Sequence, residues 1–341
     1  MPNDTNENNH SAIPKNEAEY ASKTWDVLAS VGIAVGTGIP LPPSIMKSLR
    51  KAADKFIQGA TEYGMTYIDA ATAKRKNIEV GKQLVLHSVA EAAAKKVTTD
   101  ENLMERALNV FTTDLIGKQQ NKENVLAIAV EELKNSKISD DSVTTIDEDW
   151  LGSFSTLAAQ KSNKDVQQLL GKILAGEIRN PGTFSPLTLQ ILSTLTPPIA
   201  KVFEKFCNLC MTIQLDGHQD VKHAFLCHQP YPEYNQKGVP ELGIGYGDLL
   251  TLQTYGLLTT KLDASYTTFS PLLEANVELG GRNLKLISKT GNPKQIYFYP
   301  VTPLSISGYE LRSIISLEVP ADHFAAQLQY FDQCGFDVTN L

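Results

Sequence analysis

Between Asp26 and Lys47 the chain carries twenty consecutive residues without a charge, VLASVGIAVGTGIPLPPSIM. A run of that length is at the threshold for spanning a bilayer, which takes about 20 apolar residues in helical form. Pro40, Pro42 and Pro43 interrupt it, since proline lacks the amide hydrogen that a helix interior needs. The continuous apolar part is therefore Val27 to Ile39. At about 1.5 Å per residue it reaches about 20 Å, short of a hydrocarbon core of about 30 Å. Gly32 and Gly36 make a G-x-x-x-G pair just before Ile39, the spacing that lets two helices approach closely. Gly32, Gly36 and Ile39 are accordingly candidate membrane or oligomer contacts. Three readings stay open: a buried hairpin or strand-like segment, a re-entrant or conditionally inserting one, and a permanent span, which the short reach disfavours.

The remainder of the chain argues for a folded protein. Of 341 residues, 42% are hydrophobic and 20% charged, enough apolar material for a core and too much for wholesale disorder. The length suggests two or three domains. The balance of 31 basic against 38 acidic residues gives −7, so no overall positive field exists to hold phosphate backbones. Four cysteines exclude a disulfide scaffold and suit a reducing compartment. The start, MPNDTNENNH, lacks the basic and apolar regions of a signal peptide, which points to the cytoplasm, with recruitment to the inner membrane left to residues 27–46.

Composition divides the chain. Residues 1–23 are polar and read as a disordered tail. Residues 24–135 combine the apolar segment with a helical arm or bundle, because Ala52, Ala53, Phe56, Ile57 and Ala60, and again Val80, Leu84, Val85 and Val89, recur at three- and four-residue steps. Residues 136–146 form a polar linker. Residues 147–212 read as a helical block, punctuated by Asp149-Trp150, Ser162-Asn163, Asn180-Pro181-Gly182 and Pro197-Pro198. Over 213–341 the order is a short helix (247–255), strand-like segments at 276–278, 283–288 and 295–299, then helices at 303–317 and 323–333. That order predicts a winged-helix-like α+β domain at the end of a mainly α chain. Long arms of this kind pair with copies of themselves, so a homo-oligomer is expected.

No catalytic constellation emerges. Cys207-x-x-Cys210, with His223 and Cys227 downstream, is the most metal-like set. Its spacing fits no zinc finger, and Phe203, Phe206, Cys207 and Cys210 fall on one apolar helical stripe, where cysteine behaves as a small hydrophobe. A P-loop, a nucleophile elbow and an H-E-x-x-H pair are all missing from the sequence, so neither a cofactor nor an enzymatic activity is expected. For nucleic acid, the 247–255 helix carries no basic residue, and the better-supplied element is the hairpin with Arg282, Lys285 and Lys289.

One strip carries a family signature. Asp147 to Phe154 reads D-E-D-W-L-G-S-F, and Gln167 to Leu195 reads QQLLGKILAGEIRNPGTFSPLTLQILSTL. This resembles a bacterial family of uncharacterised proteins known as a domain of unknown function. Its pattern is a Trp-Leu helix, a G-K-I-L-A-G-E helix, P-G-[ST]-F-S and a Thr-Leu helix. Leu170 and Leu187 depart from it, standing where family members often have Trp and Arg. The Y-G-L-L at Tyr255–Leu258 and L-S-I-S-G-Y-E-L at Leu304–Leu311 are similar to the family's C-terminal region. The resemblance implies a protein of accessory or defence type, similar in outline to abortive-infection proteins. The expected function is a non-enzymatic, self-assembling sensor or effector that perturbs membrane, with a protein partner encoded nearby. The alternative is a winged-helix DNA-binding regulator.

Overall fold

The computed structural model describes residues 43–61, 101–134, 146–214, 224–228, 231, 238–259, 264–267 and 271–341. The apolar contacts Gly32, Gly36 and Ile39, the 1–23 tail, almost all of the 136–146 linker and His223 lie outside these residues. The chain forms two compact units, Met1–Gly182 and Thr183–Leu341.

The first unit is helical where described: α1 (Pro43–Thr61), α2 (Glu101–Lys134), α3 (Glu148–Ala159) and α4 (Lys164–Arg179). Local chemistry starts two of them. The Asp147 side chain accepts from the Trp150 amide, and Asn163 accepts from the amides of Asp165 and Val166, each supplying an acceptor to a helix end that lacks one. The core faces follow the expected period: Leu49, Ala52, Ala53 and Phe56 on α1, and Val125, Leu126, Ala129, Val130 and Leu133 on α2. Phe154 stacks between Phe56 (centroids 6.2 Å) and Trp150 (5.0 Å). At Gly171 on α4, a β-carbon would lie 2.3 Å from Ile128 Cγ2 of α2. A missing side chain sets how close these helices come.

In the second unit, α5 (Pro186–Thr194) and α6 (Pro197–Leu209) lead into a seven-stranded antiparallel sheet. Its strands are β1 (Cys210–Gln214), β2 (Ala224–Cys227), β5 (Ala264–Thr267), β6 (Glu274–Leu279), β7 (Arg282–Ser288), β8 (Tyr297–Pro303) and β9 (Phe336–Asn340), in the order β5-β8-β2-β1-β6-β7-β9. A small separate ribbon pairs β3 (Gly238–Val239) with β4 (Ile244–Gly245). Helices α7 (Tyr246–Thr254), α8 (Ile306–Arg312) and α9 (Ala321–Gln333) complete the unit. Phe331 of α9 joins Met211, Phe225, Val277, Leu284, Leu286, Phe298 and Phe336 in one buried cluster on a face of the sheet.

This sheet overturns the winged-helix assignment and the mainly α class: the chain is an α+β mixture. The hairpin at 274–288 is no wing. It continues, through β6, a sheet whose central strands are β1 and β2. Those two escape a pattern reading for a physical reason. Every residue of β2 is buried, as are Cys210, Met211 and Ile213, so both faces are covered and no polar alternation marks the strand. The stripe Phe203, Phe206, Cys207 runs on into Cys210 as if helical, yet α6 ends at Leu209 and Cys210 begins β1. Among the described residues, no helix is long and apolar enough to cross a membrane.

Candidate functional site

The metal-like cysteines do not converge. Cys210 sits opposite Leu226 across the β1–β2 ladder. Adjacent strand residues point to opposite faces, so Cys227 projects away from Cys210, into the cluster packed under α9. Cys207 lies on α6; all three residues are buried, and none is in a disulfide. Burial pushes the Cys207 thiol well up and the Cys210 thiol up to about 12. Low thiolate content makes such groups poor ligands and nucleophiles. Among the described residues no group of three or more His, Cys, Asp and Glu side chains is placed to hold a metal.

The three cations singled out on the hairpin are brought onto β7 and the turn after it, but each is already engaged. The Arg282 guanidinium lies 4.4 Å from the Phe324 ring centre. Lys285 Nζ is 2.6 Å from Glu274 Oε2. Lys289 pairs with Asp332, which holds its ammonium pKa above the usual lysine value. A phosphate would have to displace these partners.

The polar groups that do gather lie where α5 and α8 meet. Ser185 caps α5: its Oγ accepts from the Thr188 amide at 3.3 Å, and Pro186 fills the first helical position, where a missing amide hydrogen costs nothing. Oε2 of Glu310, on α8, then accepts from the Ser185 amide (2.8 Å), Ser185 Oγ (3.1 Å) and Thr188 Oγ1 (2.5 Å). A carboxylate at a helix N-terminus also meets the positive end of the helix dipole. On α8 itself, Ser305 Oγ accepts from the Gly308 amide (3.0 Å) and donates to the Gly256 carbonyl (2.6 Å), while the Ser305 amide donates to Leu257 O (3.0 Å). Gly308 is required there, because a β-carbon would fall 2.1 Å from Leu257 O.

The segments Ser185–Leu189, Tyr255–Leu258 and Leu304–Leu311, far apart in sequence, thus assemble into one hub. Sequence reasoning identified the segments but not Glu310 as the residue that joins them. Ser185-Pro186 is a legible cap signature, whereas the 125-residue separation of Ser185 and Glu310 leaves no local trace. Outward from this hub stand two large aliphatic side chains, Leu187 at 59% and Ile306 at 78% exposure.

Two further polar arrangements are structural in geometry. Glu278 on β6 takes 2.8 and 2.7 Å bonds from Arg312 Nη2, which also reaches Cys210 O at 3.4 Å, tying α8 to the sheet. His323 of α9 is fully buried, with Nε2 3.0 Å from Leu209 O and Nδ1 2.8 Å from Tyr231 OH. The carbonyl can only accept, so Nε2 carries the proton and the tyrosine hydroxyl donates to Nδ1. Burial lowers His323 to about 4, despite the Leu209 bond, and raises Tyr231 to about 12. The pair is a neutral latch with no acid or base to offer near neutral pH.

No curated protein and no solved structure matches this chain. A family model does match, over residues 105–329, a span that contains α2 from its second turn onward, α3, α4, the hub and most of the sheet. The chain therefore belongs to the family described as "Protein of unknown function (DUF2806)".

Proposed function

We propose that the chain is a non-enzymatic interaction protein, a sensor or effector of the bacterial defence (antiphage, abortive-infection-like) type that assembles with copies of itself. One observation carries this reading. Three segments of the family resemblance, around Ser185, Tyr255–Leu258 and Leu304–Leu311, meet at a hub where the Glu310 carboxylate and the hydroxyls of Ser185 and Thr188 satisfy one another. Groups spent on each other are not poised for a substrate, and what the hub presents outward is aliphatic. Family motifs that build a rigid platform under an apolar surface suit docking better than turnover.

Of the uncharged stretch Val27–Met46, whose last four residues open α1 with Ile45 buried, the part ahead of α1 is proposed to reach the inner membrane once assembly is triggered, for which a protein encoded nearby is the natural source. Its continuous apolar part, Val27–Ile39, would reach about 20 Å as a helix, which suits interfacial or cooperative insertion and not a lone span. Dye release from liposomes, by the full chain and by a chain lacking residues 24–46, tests this. Leakage that disappears with the deletion is the expected result. Equal leakage from both chains, or none under any activating condition, removes the membrane role.

A further inference from the structure

We infer that the outward face of α1 seats the first unit on anionic lipid headgroups, an inference that rests on the membrane role proposed above and assigns it a surface and a lipid class. Lys47, Arg50, Lys51, Asp54 and Lys55 stand at three- and four-residue spacings, which places them on one side of the helix. The opposite side is spent on the core, where Ile45, Ser48, Leu49, Ala52, Ala53 and Phe56 are buried. From Ile45 to Phe56 the exposed residues are Lys47, Arg50 and Lys55, every one a cation. Lys51 is half-buried, with Nζ 2.8 Å from Ile146 O and 3.3 Å from Glu148 Oε1. Asp54, also half-buried, is the one acid that α1 itself places on this face over the same span.

The sequence on either side of the uncharged stretch selects the occupant. The ten residues before it, Glu17–Asp26, hold one lysine, Lys23, beside Glu17, Glu19 and Asp26. The ten after it, Lys47–Phe56, hold Lys47, Arg50, Lys51 and Lys55. A membrane-seeking segment keeps its lysine- and arginine-rich flank on the cytoplasmic side, and a cluster of about four or more such residues at that flank is attracted to anionic headgroups. On α1 the cluster is carried by a helix whose apolar side is already buried, so it lies against headgroups without inserting. A nucleic acid would use the same cations for its phosphates, but it has no use for the adjoining run of twenty uncharged residues.

The test is co-sedimentation of the full chain with vesicles of phosphatidylcholine alone, or of phosphatidylcholine with about one third phosphatidylglycerol, with circular dichroism as the check on folding. These cations are exposed in the folded chain, so binding needs no trigger. The expected result is binding to the anionic vesicles that weakens with salt and is much poorer on the neutral ones. Lys47→Gln/Lys55→Gln should weaken it on the order of tenfold or more. Lys201→Gln/Lys205→Gln, which removes the same charge from exposed positions of α6, should leave it unchanged. No binding to anionic vesicles overturns this inference and leaves the leakage assay to decide the membrane role. Equal binding to neutral and anionic vesicles, or binding that survives Lys47→Gln/Lys55→Gln, overturns the α1 face while the membrane role stands. Equal losses in the two double variants trace binding to net charge and overturn the face as well. Binding to duplex DNA that exceeds binding to anionic vesicles, and is lost with Lys47 and Lys55, overturns the choice of lipid.

Discussion

Replacing Gly171 by Ala tests whether the family's G-K-I-L-A-G-E helix is there for packing. In a solvent-facing helix the exchange stabilises by about 1 kcal/mol, because alanine loses less backbone entropy on ordering. At Gly171 the new methyl would sit 2.3 Å from Ile128 Cγ2, 2.6 Å from Ile128 Cβ and 3.3 Å from the Ala129 amide nitrogen. The obstruction includes atoms fixed to the α2 backbone, so rotating a side chain does not clear it and the helices must separate. Overpacking of this kind costs about 1–3 kcal/mol, and the backbone involvement puts this site at the top of that range. The expected net effect is a loss of about 2 kcal/mol. Gly117, inside α2 and with nothing within 4 Å of its built β-carbon, is the control, and there the same exchange should gain about 1 kcal/mol. Ile128→Ala in the Gly171→Ala background removes the nearest atom but leaves the β-carbon, so the rescue should be partial. Urea unfolding followed by the fluorescence of Trp150, buried on the neighbouring α3, reads the unit concerned. A neutral or stabilising Gly171→Ala would refute the close crossing and with it the packing explanation of the motif.

Three other outcomes are expected. Lys122 is buried with Nζ 2.5 Å from the Phe56 carbonyl, and burial, only partly offset by Glu123, lowers its pKa. The unfolded chain then holds that proton more tightly than the folded one, so stability should rise with pH towards about 10, and the slope should flatten in Lys122→Met; an unchanged slope in urea titrations excludes the lysine as its source. Removing one partner of the Arg312–Glu278 pair, by Glu278→Gln or Arg312→Met, should cost about 2–4 kcal/mol, below the usual loss for a fully buried pair because Glu278 keeps some solvent contact. Replacing both should recover part of it, and strict additivity in a double-mutant cycle would show no coupling. Finally, His228 and His323 are each lowered by burial to about 4 from 6.5. Because the folded values are depressed, their contribution is full above pH 6.5 and is lost as pH falls towards 4, by up to about 3 kcal/mol each. His323→Gln should take up about one proton fewer on unfolding across that window, and the same proton uptake as the original chain would count against a neutral buried imidazole.

Amino-acid order alone was enough for the helices whose ends carry their own chemistry. Asp147, Asn163 and Ser185 each satisfy amides two or three residues ahead, and Pro186 and Pro197 sit where a helix tolerates them. Such interactions close within one turn, so a short window contains all their participants. The β6–β7 pair was legible for a similar reason, since its exposed and buried residues alternate and Gly280-Gly281 turns the chain at positive φ. Tertiary structure decided everything whose partners are distant. It made a strand of Cys210–Gln214, whose Cys210 and Met211 are buried on opposite faces and so show no polar alternation, and it sent Cys210 and Cys227 to opposite faces of the sheet. It also brought Glu310 to Ser185 across 125 residues and left Leu187 and Ile306 in solvent. Whether an apolar side chain ends up buried or presented depends on what the rest of the chain packs over it, and no local pattern encodes that.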